Sequence, residues 1–419
     1  MRLHPPALAV LSAAALCAVM PSGARAAAPP ADHVVLAVEG GPAYRLDADV
    51  TGGGIAVTDT VGDYAVNRIR GTATLPGGAA LTVGISRGPL GLGGSLSFED
   101  RGADVRITAV VAGGVTARGD GTVAWRGTAL VRSGGGTALR NVALTVEDRR
   151  PDPGDHAIRI THAGQARNAI LRLPDDYDGT PRPVLFHFPG LVETPWMAEL
   201  FGRMADYAQK HGFIMITPEH HGIAWQEVGS QHDVPPDPDV DDPGFVDRLQ
   251  DILVSRFNAD PRRLYASGMS NGGYFTSKMA CENGRFAAFA PVAGQLDDPA
   301  TCRPGRHIPI ILIHGDADPV VDYAEAPVSA AFWARNNSCA PTTTDTTLPD
   351  LDPADGTTVV RSAYDGCPSD GPVTLLRIRG GGHNWPGGIP FLGPLLGGTT
   401  HDIDANAAIW TFVSTHRLP

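Results

Sequence analysis

Arg263-Leu264-Tyr265-Ala266-Ser267-Gly268-Met269-Ser270-Asn271-Gly272-Gly273-Tyr274 runs from an apolar strand pattern through Gly-x-Ser-x-Gly into a helix-like stretch that continues with Phe275, Met279 and Ala280. Gly268 and Gly272 flank the serine at two positions' distance and carry no side chain, so the backbone can turn sharply there. A strand–serine–helix turn of this kind lifts the Ser270 hydroxyl out of a sheet. It also aims the backbone N–H of Asn271 at the same point. Ser270 is the candidate nucleophile, and Asn271 is one candidate donor to a developing oxyanion.

Outward from this turn, Val184–Phe188, Phe213–Thr217, Leu264–Ser267, Ala287–Val292, Ile308–His314 and Val373–Ile378 read as buried strands. Helix-like segments lie between them. Phe245, Leu249, Ile252, Leu253 and Phe257 form one helical stripe, with Asp241 and Asp242 placed to cap its start. Strand–helix alternation from residue 157 to 419 predicts an α/β unit, a mostly parallel sheet flanked by helices, with its site at the carboxyl ends of the strands.

Residues 27 to 147 have a different texture. Val105, Ile107, Ala109 and Val111 alternate with their neighbours, as do Val142, Leu144 and Val146, and Gly-rich turns separate the runs. A period of two predicts a small all-β antiparallel unit, a sandwich or barrel. Residues 148–156, with Pro151 and Pro153, read as a linker. Before all this, Met1, Arg2 and His4 precede an apolar run from Ala7 to Met20, and Ala24-Arg25-Ala26 is a small-x-small pattern. Residues 1–26 therefore read as a signal peptide, and the protein as secreted.

Composition narrows the partners. The 419 residues are 42% hydrophobic and 19% charged, with a net charge of −12. Loss of Arg2 and Arg25 with the leader takes the charge to −14, all of it beyond residue 150. Such a chain suits neither nucleic acid nor an anionic membrane. No apolar stretch beyond the leader is long enough to span a bilayer. Once Cys17 leaves with the leader, Cys281, Cys302, Cys339 and Cys367 remain, an even set suited to two disulfides. Three pairings exist; the local one, Cys281–Cys302 with Cys339–Cys367, closes two short loops. No cysteine–histidine spacing suggests zinc, and no metal is expected.

A serine needs a base, and the base an orienting acid. Beyond the strand ending at His314, the segment Gly315-Asp316-Ala317-Asp318-Pro319 offers Asp318, with Asp316 as rival and Asp322 behind it. Beyond the strand ending at Ile378, His383 stands on a glycine-rich turn, with His401 as rival.

These motifs carry a resemblance. Gly-Met-Ser-Asn-Gly-Gly at 268–273, His-Gly-x-x-Asp-x-x-Val at 314–321, Gly-Gly-His-x-Trp-Pro-Gly at 381–387 and Asp-Asp-Pro-Gly-Phe at 241–245 resemble the esterase family of polyhydroxybutyrate depolymerases and feruloyl and acetylxylan esterases, α/β-hydrolases of carbohydrate esterase family one. The resemblance covers about residues 155 to 415. It implies a Ser270–His383–Asp318 triad, disulfides compatible with the local pairing, and no cofactor. It further implies a secreted serine ester hydrolase acting on a polymeric or small ester. A polyhydroxybutyrate depolymerase-like polyesterase is favoured over a feruloyl or acetylxylan esterase; an acyltransferase and a non-catalytic binding protein rank lower.

One departure stands out. The family has His-Gly after the early strand, where a backbone N–H completes the oxyanion hole; here the chain reads His187-Phe188-Pro189-Gly190-Leu191. Pro189 has no N–H. Phe188 is the first candidate for the second donor, with Gly190 and Leu191 as alternatives. Trp385, Trp225 and Phe391 are the candidate substrate contacts, Phe391 from an apolar loop, Gly388 to Gly397, expected near the site's mouth. Gln231 to Asp242, which holds His232, Asp233, Asp237, Asp239, Asp241 and Asp242, reads as a solvated loop rather than a calcium site, and His220-His221 as a polar loop rather than a metal site. The N-terminal β-unit reads as a spacer, with polymer or cell-surface contact as the alternative.

Overall fold

Strict alternation of burial builds the N-terminal part. In Val105–Ala112 every second side chain is buried, and Val142, Leu144 and Val146 are buried while their neighbours are more open. The computed structural model describes residues 32–39, 44–58, 68–88, 91–117, 122–134, 136–147, 153–226, 237, 239–297, 299–390 and 393–419. The leader with Cys17, residues 148–152 of the expected linker, His232 and Asp233, and Phe391-Leu392 lie outside the described residues.

The first sheet comprises β1 (His33–Glu39), β2 (Tyr44–Asp49), β3 (Gly52–Thr58), β4 (Arg68–Thr74), β5 (Ala80–Gly88), β6 (Gly91–Asp100), β7 (Val105–Ala112), β8 (Val115–Ala117), β9 (Thr122–Ser133) and β10 (Gly136–Glu147). All of its pairings are antiparallel, in the order β2-β1-β10-β9-β7-β6-β5-β4-β3, with β8 paired to β9. The inner face forms one apolar cluster that includes Leu36, Leu81, Phe98, Ile107, Trp125 and Leu144. A single sheet gathered around its own core thus replaces the expected sandwich or barrel.

The second sheet comprises β11 (Gly154–His162), β12 (Gln165–Leu173), β13 (Arg182–Phe188), β14 (Ile214–Pro218), β15 (Ala259–Met269), β16 (Ala288–Val292), β17 (Ile310–Gly315), β18 (Thr343–Thr347), β19 (Thr358–Tyr364) and β20 (Val373–Arg379). Its order is β11-β12-β14-β13-β15-β16-β17-β20-β19-β18. The central six strands run parallel, and the two at each edge are antiparallel.

This corrects the expected fold class. Taken with the first sheet, the chain is mostly antiparallel and carries six α-helices among the described residues, so it is not a mostly parallel sheet flanked by helices behind a small β-unit. The cause is local. β11 and β12 form a hairpin of alternating burial, and β18 is exposed along its whole length, so neither edge shows the continuous apolar runs by which the parallel strands were recognised. β11 also begins at Gly154, inside the stretch read as linker.

The helices are α1 (Pro195–Gly202), α2 (Met204–His211), α3 (Asp242–Arg256), α4 (Asn271–Glu282), α5 (Glu325–Asn336) and α6 (Ala405–Val413). The Asp241 carboxylate caps α3 by accepting from Gly244 N–H at 2.8 Å, and Phe245, Leu249, Ile252 and Leu253 are buried as their spacing predicts. One apolar cluster joins α3, α4 and α5 to Val184, Phe186 and Phe188, and another joins α2 and α6 to Leu185, Met215 and Tyr265. Alternate residues of the central strands therefore bury on opposite faces. Disulfides join Cys281 to Cys302 and Cys339 to Cys367, the local pairing.

Candidate active site

The turn after β15 is strained in the way a presented serine requires. Ser270 holds φ 56° and ψ −122°, a conformation L-residues rarely adopt. Its N–H donates to Val292 O at 2.9 Å, and its carbonyl accepts from Tyr274 N–H at 2.9 Å as α4 begins. A Cβ on Gly268 or Gly272 would collide with backbone, in the second case with the Phe188 carbonyl. The two glycines are thus needed for close approach between the turn and β13.

His383 stands on the turn beyond β20, its N–H donating to Leu396 O at 2.6 Å. Its Nδ1 lies 2.7 Å from Asp318 Oδ2. Asp318, in the loop beyond β17, also takes Val320 and Val321 N–H on Oδ1, at 2.8 and 2.9 Å, and His314 Nε2 on Oδ2 at 3.1 Å. Burial opposes ionisation of this carboxyl, but the hydrogen bonds from His314 and His383 outweigh it and hold Asp318 well below the usual carboxylate range. A carboxylate only accepts, so His383 carries its proton on Nδ1 and leaves Nε2 free to act as base. The same logic puts the His314 proton on Nε2 and leaves its Nδ1 to accept from Gln295, with which it is paired. His314 was quoted in the motif but given no role by the sequence reading.

The rivals are engaged elsewhere. Asp316 accepts from Arg377 Nε at 2.7 Å and Gly380 N–H at 2.8 Å. Asp322 accepts from Ala324 N–H, and His401 lies against Asp352 and Asp355. Asp352, Asp355 and His401 are the group among the described residues close enough to share a cation. Asp355 already accepts from Thr357 and from His401 N–H, and none of the three lines the cavity described next.

Ser270 and His383 open on one cavity of about 300 Å³, walled largely by apolar side chains that include Met197, Phe201, Val320 and Trp385. Gly190 and Leu191 line it; Phe188 does not, being buried against Trp225 and Phe275. Of the expected substrate contacts, Trp385 lines the cavity, held by Nε1–H donation to Asn406 at 3.0 Å. Trp225 does not. It stacks on Phe275 and braces the site from behind, donating its N–H to Asn271 Oδ1 at 2.8 Å and its Nε1–H to Pro189 O at 2.9 Å. Two polar groups in the wall escaped the sequence reading. His187 is buried edge-on to Trp385, and burial pushes it down to about 4. The Glu193 carboxyl is pushed up by burial although it accepts from Gly190 N–H at 2.7 Å. His187 stands in the segment quoted for the oxyanion loop but was given no role there, and Glu193, just beyond that segment, was not singled out.

No protein-family model matches the chain. Among curated proteins it is similar to the putative esterase NocK of Nocardia uniformis subsp. tsuyamanensis, 28% identical over 287 residues that span 62% of this chain and 83% of that one. It is also similar to feruloyl esterase B of Piromyces equi, 26% identical across 52% of this chain and 42% of that one, so less than half of that relative is matched. Acetylxylan esterase A of Emericella nidulans is 34% identical across 38% of this chain and 52% of its own length. Among solved structures, an acetyl xylan esterase from Aspergillus awamori aligns with a TM-score of 0.44 at 14% identity, over 56% of this chain and 95% of that one. The poly(3-hydroxybutyrate) depolymerase LpqC from Bordetella parapertussis aligns with a TM-score of 0.31 at 19% identity, over 40% and 67%. The relatives are esterases, consistent with the family that the motifs resemble.

Proposed function

We propose that this chain, a carboxylic ester hydrolase like its relatives, works through an acyl-enzyme on Ser270, with His383 as base and Asp318 as the acid that orients it. The carrying observation is the 2.7 Å bond from His383 Nδ1 to a buried, ionised Asp318, on a histidine that shares its cavity with a strained, presented serine. As Ser270 Oγ attacks the ester carbonyl carbon, His383 Nε2 takes its proton and the carbonyl electron pair moves onto oxygen. The N–H of Asn271, one of the partnerless amides that begin a helix, supplies one oxyanion donor, and Leu191 N–H supplies the second. Collapse of the tetrahedral intermediate expels the alcohol with the proton from His383, and water repeats the sequence to free the acid. A fluorophosphonate probe tests this: it should label Ser270 alone. Steady turnover of a p-nitrophenyl ester should vanish in Ser270→Ala, and label on another residue would reject the assignment.

The apolar wall and mouth of the cavity favour a polyester over plant cell-wall esters. Relatives named feruloyl and acetylxylan esterases support the second reading. A panel of short-chain polyester, methyl ferulate and acetylated xylan separates the two. Export as a leader-bearing protein fits two disulfides, which persist in oxidising surroundings. No helix among the described residues is long and apolar enough to cross a membrane. Residues 27–147 would then form an accessory unit joined to the catalytic part, as spacer or polymer contact.

A further inference from the structure

The oxyanion loop has an unusual construction. Pro189 offers no N–H, and Gly190 N–H is already given to Glu193 Oε2 at 2.7 Å. Glu193 N–H returns to Gly190 O at 3.2 Å, so the turn from Gly190 to Glu193 is closed by hydrogen bonds at both ends. Between them Val192 sits at φ 56°, a left-handed conformation that is a genuine outlier for a β-branched residue. Its side chain is exposed, so packing does little to hold it there. What holds it is its own N–H on Ile223 O at 2.7 Å, together with the Gly190–Glu193 closure. Strain of this kind persists only where surrounding contacts over-determine it, and it gathers at functional sites. Leu191 N–H is the one amide of the turn that donates to no partner among the described residues, and Leu191 lines the cavity with Ser270. A partly buried carboxyl in a largely apolar wall costs stability unless a hydrogen bond compensates it, and the bond that Glu193 makes there is to Gly190 N–H.

We propose that Glu193 is the positioning residue of the oxyanion hole: by binding Gly190 N–H through its side chain it holds the strained turn that leaves Leu191 N–H free for the substrate oxyanion. This rests on the serine-esterase reading above. The chemistry asks for an acceptor at this position and for the length of a glutamyl side chain; it does not ask for a charge. Glutamine supplies both, alanine and aspartate do not.

The test compares Glu193→Ala, Glu193→Gln and Glu193→Asp in the full chain on a soluble p-nitrophenyl ester. Glu193→Ala and Glu193→Asp should lower kcat about 100-fold, the lower end of what loss of an oxyanion donor costs, with KM within about threefold. Glu193→Gln should stay within about threefold of the parent. A trifluoromethyl ketone that forms an oxyanion on Ser270 should weaken in parallel with kcat, since it needs the same donors. If Glu193→Ala does not fold, Glu193→Asp carries the test. A kcat that survives alanine or aspartate, or a glutamine variant as damaged as they are, overturns the proposal. Retained turnover in Ser270→Ala, run beside them, would instead bring down the reading on which it rests.

Discussion

Asp316 and Asp318 sit two residues apart in one loop, and their partners divide the work between them. Asp318 is bonded to His383 and His314, while Asp316 is tied to Arg377 and Gly380. Asp318→Asn should therefore lower kcat by about 10⁴-fold with the fold intact, because an amide no longer enforces the Nδ1–H tautomer. Asp316→Asn should cost less than about threefold in kcat and weaken stability modestly, its ion pair being partly exposed. Matching near-ultraviolet circular dichroism with the two kcat values checks both; Asp316→Asn as the more damaging change would exchange the roles. Position after a strand is all the sequence offered for preferring Asp318. The partners that distinguish the two acids could not be read there, because Arg377 arrives from a strand 61 residues away. His187 yields a second expectation. It is buried with Nδ1 unpartnered, and its titration falls from an ordinary 6.5 to about 4. Above pH 6.5 it is neutral folded and unfolded alike, so its contribution is fully present. Between 6.5 and 4 only the unfolded chain takes up the proton, so stability falls, by on the order of 3 kcal/mol at the lower end. Urea titrations at pH 7 and pH 4.5 should show this loss in the parent and not in His187→Asn. An equal pH dependence in both proteins would remove His187 as its source.

Helix α4 begins at the serine turn and ends in a disulfide, so a covalent tie bears on the element that follows Ser270, the proposed nucleophile. Cys281 near its end is joined to Cys302 across 21 residues, and Cys339 after α5 to Cys367 across 28. Loops of that length restrict the unfolded chain by about 3 kcal/mol each on the entropic model. The double change Cys281→Ala/Cys302→Ala should lower unfolding free energy by about that amount, read from urea titration at unchanged m-value. A loss well under 1 kcal/mol would mean the reduced chain stays ordered there. Elements differ in how well sequence announced them. The α3 stripe from Phe245 to Leu253 was legible because one helical face must be apolar to bury. The inner strands were legible because both of their faces are covered. The edges were not. β18 is Thr343-Thr344-Asp345-Thr346-Thr347, exposed throughout, and nothing in five polar residues states that they pair antiparallel with β19. Pairing direction is a property of partners, not of a strand's own pattern, and it is where the fold-class expectation failed.

Charge and core divide the whole molecule in the same place. Residues 27–150 are electrically neutral, the acidic excess lies beyond them, and the first sheet has an apolar cluster that shares no residue with those of the second. A chain beginning at residue 153, just ahead of β11, should keep its fold and hydrolyse a soluble ester within about twofold of the full chain. Cutting at 157, as the sequence reading would have done, removes the first three residues of β11 and should cost stability. An inactive or aggregated fragment from 153 would make the two sheets one cooperative unit.

The mouth of the cavity bears on what the molecule meets. Val192, Val320 and Ile389 line the cavity yet are each about half exposed, and Leu395 beyond them is 76% exposed. Apolar side chains gathered at an opening, rather than scattered singly, usually mark a contact surface. The sequence analysis expected the apolar loop Gly388 to Gly397 near this mouth, with Phe391 as its contact; Phe391 and Leu392 lie outside the described residues, and Ile389 and Leu395 flank them in the same loop. If the rim adsorbs to a water-insoluble polyester, Ile389→Ser with Leu395→Ser removes about 2 kcal/mol of apolar contact and should cut hydrolysis of polymer particles by about tenfold or more. On the proposed mechanism a soluble short-chain ester needs only Ser270 and the cavity, so its turnover should change by less than about twofold. Parallel losses on both substrates, with a lowered melting temperature, would show that these side chains stabilise the loop itself, and the balance would then move toward the smaller esters of the cell-wall reading.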